Sequence, residues 1–187
     1  ADIYDGVEEL YGRFLKRWRT TSGARPLHIH TKFVPDLQAL PTMTKGYVER
    51  IVDRSLARLG VECLDLVQFY WWDADVPGFE QTGVWLTELQ AAGKIRHLAG
   101  TNLSVERCRA LRDAGVELVA NQVQYSVLDR RPERTLAAYA REEGVALLCY
   151  GALAGGFLTD RWLHADEPAG PALNRSLVKY GLVIEEL

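Results

Sequence analysis

The sequence predicts an α/β chain of the (β/α)8 TIM-barrel class, and three observations support that reading. Five apolar segments recur along the chain, helical patterns separate them, and each segment ends on a residue with chemistry of its own: Lys32, Tyr70, Thr101 with Asn102, Gln122 and Tyr150. Strand ends that lead into helices form the loop face on which such barrels gather their working groups.

The apolar segments cover residues 27–33, 64–70, 95–101, 117–123 and 145–150. Each is short and mainly apolar or β-favouring, as expected of a strand buried in a parallel sheet. After the first of them, Tyr47, Val48, Ile51, Val52, Ser55, Leu56 and Leu59 share one helical face, while Glu49, Arg50, Asp53 and Arg54 share the other. That is an amphipathic helix laid on a sheet. Further along, Leu86, Leu89 and Gln90 precede a Gly93-Lys94 stop, and Ser104 stands where it would cap a helix carrying Val105, Cys108 and Leu111. Leu136, Ala137 and Ala140 then precede Gly144. A repeating strand-helix-strand unit implies parallel strands.

Length modifies the expectation. A closed barrel of this kind takes about 250 residues, whereas the sequence has 187. The chain is therefore expected to be one domain over residues 1–187, an incomplete barrel lacking its first and last strands. The stretch with Asp160, His164, Asp166, Pro168, Gly170 and Pro171 reads as a loop, and a further helix starts at Ser176.

Composition excludes several classes. Hydrophobic residues make up 48% and charged residues 25%, ordinary proportions for a globular domain. A net charge of −3 without a long Lys/Arg run argues against nucleic acid as a partner, and the basic cluster at residues 13–19 reads as a solvated helix face. No run of about 18 apolar residues offers a membrane span. Cys63, Cys108 and Cys149 are odd in number and set in apolar patterns. They are expected to be buried free thiols, which places the chain in a reducing, cytoplasmic setting. Four scattered His and three scattered Cys give no metal-ligand spacing, so no metal is expected. Neither a G-x-S-x-G elbow nor a G-x-G-x-x-G turn is present.

Seven short motifs in order carry a family resemblance: Ala1-Asp2-Ile3-Tyr4, Glu8-Glu9-Leu10, Thr31-Lys32, Gly93-Lys94-Ile95-Arg96, Gly100-Thr101-Asn102, Asn121-Gln122-Val123-Gln124-Tyr125 and Tyr150-Gly151-Ala152-Leu153. In order, spacing and strand-end placement the chain resembles the aldo-keto reductases along nearly all its length. Phe69-Tyr70-Trp71-Trp72-Asp73, Leu128-Asp129-Arg130-Arg131-Pro132 and Ser176-Leu177-Val178-Lys179-Tyr180 resemble a bacterial and fungal branch.

The resemblance implies NADPH-dependent reduction of an aldehyde, ketone or conjugated alkene. Tyr4 would donate the proton, and Lys32 would tune it, since a phenol of pKa about 10 needs a nearby cation to release its proton readily. The family's carboxylate partner for this lysine would lie upstream of Ala1, so Asp2 is not that group. The family's fourth catalytic residue is a His that orients the carbonyl, and here its position is held by Tyr70. A phenol can still donate one hydrogen bond, with different reach and acidity. Thr101, Asn102 and Gln122 would answer the nicotinamide carboxamide, Tyr150 would stack on the ring, Gly151 with the Gly155-Gly156 pair would let the backbone approach the pyrophosphate, and Ala152 and Leu153 complete the expected cofactor-binding set. Trp71, Trp72 and Phe79 would make an aromatic mouth suited to a flat or apolar substrate. Asp73 and Asp75 read as solvated loop acids. Without the later part of a barrel, dinucleotide binding is expected to be weak. The alternative is a member of the fold without net redox work: a lyase, isomerase or cyclase using Tyr4 and Tyr70, or a subunit that senses cofactor.

Overall fold

A computed structural model describes residues 4–23, 25–163 and 175–185. Two compact units emerge, Ala1–Asn121 and Gln122–Leu187. Their boundary falls inside a strand.

The first unit begins with helix α1 (Val7–Arg19), entered through Gly6 in the left-handed conformation. Strand β1 (His30–Phe33) follows, then α2 (Lys45–Leu59), β2 (Leu64–Phe69), α3 (Phe79–Ala91), β3 (Ile95–Thr101), α4 (Val105–Asp113) and the start of β4 (Leu118–Gln124). Strands β1, β2 and β3 pair parallel, with Lys32 opposite Gln68 and Gln68 opposite Ala99. Parallel pairing between consecutive strands requires a crossover, and α2 and α3 supply it.

The helices form where the sequence pattern placed them. Thr44 caps α2 by accepting from the Tyr47 N–H, and Ser104 caps α4 by accepting from Arg107. On α2, Val48, Ile51, Val52, Ser55 and Leu59 are buried, the apolar stripe read from the sequence. The turns that follow α2, α3 and α4 close alike: Val61, Lys94 and Val116 donate back to Leu56, Leu89 and Leu111 across a left-handed glycine. These are Schellman turns, which satisfy the last helical carbonyls and aim the chain into the next strand. The core between strands and helices holds Phe33, Phe69 and Phe79, the last two stacked at 5.0 Å. Side chains of this size stabilise by about 1.5–3 kcal/mol each when buried.

The second unit contains the end of β4, a short helix α5 (Leu136–Glu142), β5 (Ala146–Tyr150) and α6 (Arg175–Glu185). Tyr125, just past β4, donates its N–H to the Tyr150 carbonyl at 3.2 Å. The turn after α5 repeats the pattern, with Val145 donating to Ala140 beside Gly144. Five strands alternating with helices in a parallel sheet are the arrangement of part of a (β/α)8 barrel.

Strand boundaries differ slightly from expectation. The first strand starts at His30 rather than residue 27, because the Ile29 N–H is taken by the Asp65 carboxylate at 2.9 Å and cannot serve the ladder. The fourth covers Leu118–Gln124 and the fifth Ala146–Tyr150, each within a residue of the sequence reading. Helix α6 begins at Arg175, and most of the loop expected before it lies outside the described residues. Among the described residues no helix is long and apolar enough to cross a membrane.

Candidate active site at the strand ends

Lys32 sits near the end of β1 between two buried neighbours, Thr31 and Phe33, and is itself half-buried. Alternation along the strand sends Lys32 to the face opposite theirs. Its ammonium donates to the side-chain oxygen of Gln68, the residue beside it on β2. Gln68 is only 4% exposed, and the same oxygen accepts from the Thr101 hydroxyl of β3 at 3.5 Å. Three adjacent strands thus bring an ammonium, an amide and a hydroxyl together. Burial pushes the Lys32 ammonium below its ordinary pKa, since taking a charge out of water favours its neutral form.

Gln68 was not among the expected site residues. Its signal in the sequence was an amide inside the apolar segment Leu64–Phe69, two positions before Tyr70 and so on the same face of the strand. A buried amide has to find partners, and here they come from both neighbouring strands.

On the opposite face of β1, Thr31 donates to the buried carboxylate of Glu8 at 2.6 Å, and Arg58 approaches that carboxylate from α2 at 3.8 Å. This ties α1 to β1. Tyr4 lies in the turn just before α1, its carbonyl accepting from the Val7 N–H at 3.2 Å and its side chain 59% exposed.

Tyr70 directly follows β2, and its N–H still bonds the Phe33 carbonyl at 3.0 Å. Its ring meets Trp72 edge to face, with centroids 5.0 Å apart. Two indole bonds then fix the loop: Trp71 donates to the Val76 carbonyl at 3.1 Å and Trp72 to the Pro35 carbonyl at 2.7 Å. The expected aromatic mouth is corrected here. Trp71 and Phe79 are buried, because they pack against Phe69, and of the three only Trp72 is exposed. Asp73 accepts from the Asp75 N–H at 2.9 Å, an Asx turn in keeping with solvated loop acids.

Asn102 follows β3 in the left-handed conformation, φ 55°. The buried Asn121 side chain, on β4, holds this loop by donating to the Leu103 carbonyl at 2.9 Å and accepting its N–H at 3.3 Å. Asn121 is therefore occupied with structure.

In the second unit Gln122 is half-buried on β4, and Tyr150 ends β5. Lys179 of α6 lies 4.7 Å from the centre of the Tyr150 ring. Gly151 follows with φ 79°, and Ala152 and Leu153 complete a tight turn in which Ala154 donates to the Gly151 carbonyl at 2.8 Å. A side chain at Gly151 or Gly155 would collide with Tyr180. The glycines therefore admit the Tyr180 ring at close range. Cys149 is exposed on β5 rather than buried as expected, whereas Cys108 is buried and all three cysteines are free.

The sequence matches the model of the aldo/keto reductase family over residues 1–185. The chain belongs to the aldo/keto reductase family. It is 32% identical over 178 residues to the aldo-keto reductase yakc of Schizosaccharomyces pombe, whose name specifies NADP(+), covering 89% of this chain and 51% of that protein. An Escherichia coli relative named NADH-specific methylglyoxal reductase is 31% identical over 146 residues, 76% of this chain and 44% of that one. Among solved structures, an aldo/keto reductase from Klebsiella pneumoniae in complex with NADP and acetate aligns with TM-score 0.68 and 27% identity, over 86% of this chain and 54% of that chain. The chain thus spans about half the length of such relatives.

Family membership implies a nicotinamide dinucleotide, and the polar groups can be tested for it. A carboxamide offers one acceptor and two donors; in the first unit the hydroxyl of Thr101 and the amide of Asn102 suit such a group in kind, and in the second unit so does the amide of Gln122. These groups fit. At the Gly151 turn, the place a side chain would take is filled by Tyr180.

Proposed function

We propose that this chain carries the reducing centre of an NADPH-dependent oxidoreductase that acts on an aldehyde, ketone or conjugated alkene of an aromatic or apolar small molecule. The observation that supports it most is Lys32: a half-buried ammonium beside buried polar partners at the strand ends, in a chain of this family. A strand-end lysine drawn out of water needs a purpose, because its desolvation is costly.

In this reading Tyr4 gives a proton to the oxygen of the substrate as it gains negative charge, and the Lys32 ammonium eases that release by stabilising the phenolate left behind. Tyr70 donates the hydrogen bond that orients the carbonyl. Thr101, Asn102 and Gln122 hold the carboxamide of the cofactor, Tyr150 offers a flat ring, and the backbone of Gly151, Ala152 and Leu153 faces its phosphates. When bound, the cofactor supplies hydride to the substrate carbon. Burial lowers the Lys32 pKa from 10.5, and turnover needs the charged form. Activity is therefore expected to fall, as pH rises, below the ordinary lysine range.

Relatives named for NADP(+) and for NADH make both cofactors worth testing. The experiment follows loss of NADPH or NADH absorbance with a panel of aromatic aldehydes, ketones and enones. Consumption that disappears in Tyr4→Phe, with cofactor affinity retained, supports the assignment. Saturable cofactor binding without consumption of any substrate points instead to a lyase, isomerase or sensing role for Tyr4 and Tyr70.

A further inference from the structure

We propose that Gln68 is a positioning residue for Lys32, its buried amide oxygen bridging the lysine ammonium and the Thr101 hydroxyl across three strands. The inference rests on the reductase reading and adds to it the residue that aims the charge. Lys32 and Gln68 are register partners on β1 and β2, so their side chains leave the sheet side by side. An ammonium has only donors, and a carbonyl oxygen has two lone pairs. The Gln68 oxygen must therefore face Lys32, and its second lone pair takes the Thr101 hydroxyl at 3.5 Å. At 4% exposure the amide is shielded from water that could turn it away.

A neutral acceptor differs in kind from a carboxylate at this place. It fixes the direction of the ammonium without itself placing a negative charge beside it. A carboxylate in the place of Gln68 would add a charge beside the ammonium and raise its pKa. Thr101 sits on the oxygen's far side, linking a residue assigned to cofactor binding with the hold on Lys32.

The test uses the full chain with Q68L, Q68M and Q68E, each first checked for a native circular dichroism spectrum. The primary measurement is the 15Nζ ammonium resonance of Lys32, which is visible only when hydrogen bonding slows exchange with water. The signal is expected in the wild type, lost in Q68L and Q68M, and restored in Q68E. In carbonyl reduction, Q68L is expected to lower kcat about a hundredfold, the scale of a displaced catalytic group, with the cofactor KM changed less than about twofold. An ammonium signal that survives both Q68L and Q68M overturns the proposal, as does an unchanged kcat. The resonance decides the Gln68 assignment even if the wild type consumes no reduced cofactor, an outcome that counts against the reductase reading alone.

Discussion

At Tyr70, proposed to orient the carbonyl, the phenol ring rests edge-on against Trp72. A preorganised donor at such a position is worth about 2.7–4 kcal/mol of transition-state stabilisation. Tyr70→His is accordingly expected to raise kcat for carbonyl reduction by up to about a hundredfold, measured with aldehydes and ketones; a fall would mean that the chemistry is specialised around the phenol. Asp129 gives a prediction of a different sort. The Arg131 guanidinium, with hydrogen bonds at 2.6 and 2.8 Å and further support from Gln124, holds this buried carboxyl below its ordinary value of 3.8. A lowered carboxyl pKa stabilises the fold above the unfolded value, and the contribution is lost as pH falls through the folded one. Asp129→Asn should therefore lower the urea midpoint at neutral pH, and the gap from wild type should close below pH 3.8.

Between elements, Gly12 of α1 faces α2 so closely that a side chain there would strike the Arg58 carbonyl. A backbone carbonyl cannot swing aside. Alanine favours a helix over glycine by about 1 kcal/mol, but overpacking costs about 1–3 kcal/mol. Gly12→Ala is expected to destabilise the chain by about 1 kcal/mol in urea unfolding, despite the better helix former. That constraint was not legible in the sequence, because a glycine inside a helix looks like a defect until its neighbour is known. The repeated glycine stops were legible, since Gly93 and Gly144 end apolar helical patterns and need no tertiary information. Gln68 lay between these cases. Its polarity was visible in an apolar strand, but its value depends on the register that sets it beside Lys32.

For the molecule as a whole, five strands and the helices between them followed from periodicity, whereas side-chain exposure did not. Trp71 and Phe79 read as a mouth and prove to be core, and Cys149 read as buried and is exposed. Composition along a strand tells which residues are apolar, not what will cover them. The thiols turn this into a measurement of global opening. Cys149 should react with a thiol reagent in the native chain and half-buried Cys63 more slowly. Cys108, whose thiol burial pushes up to about 11, should react only when the chain unfolds. Labelling of Cys108 at native-state rates would show that the first unit opens locally. The Trp72 indole, moored to Pro35 and half in water, has an optical consequence of its own. Whatever settles against Tyr70 must alter the polarity around that indole, while Trp71 emits from a dry interior as a steady reference. The chain thereby carries an intrinsic fluorophore at the proposed place of reaction, and occupancy can be read as a shift in its emission without attaching a dye.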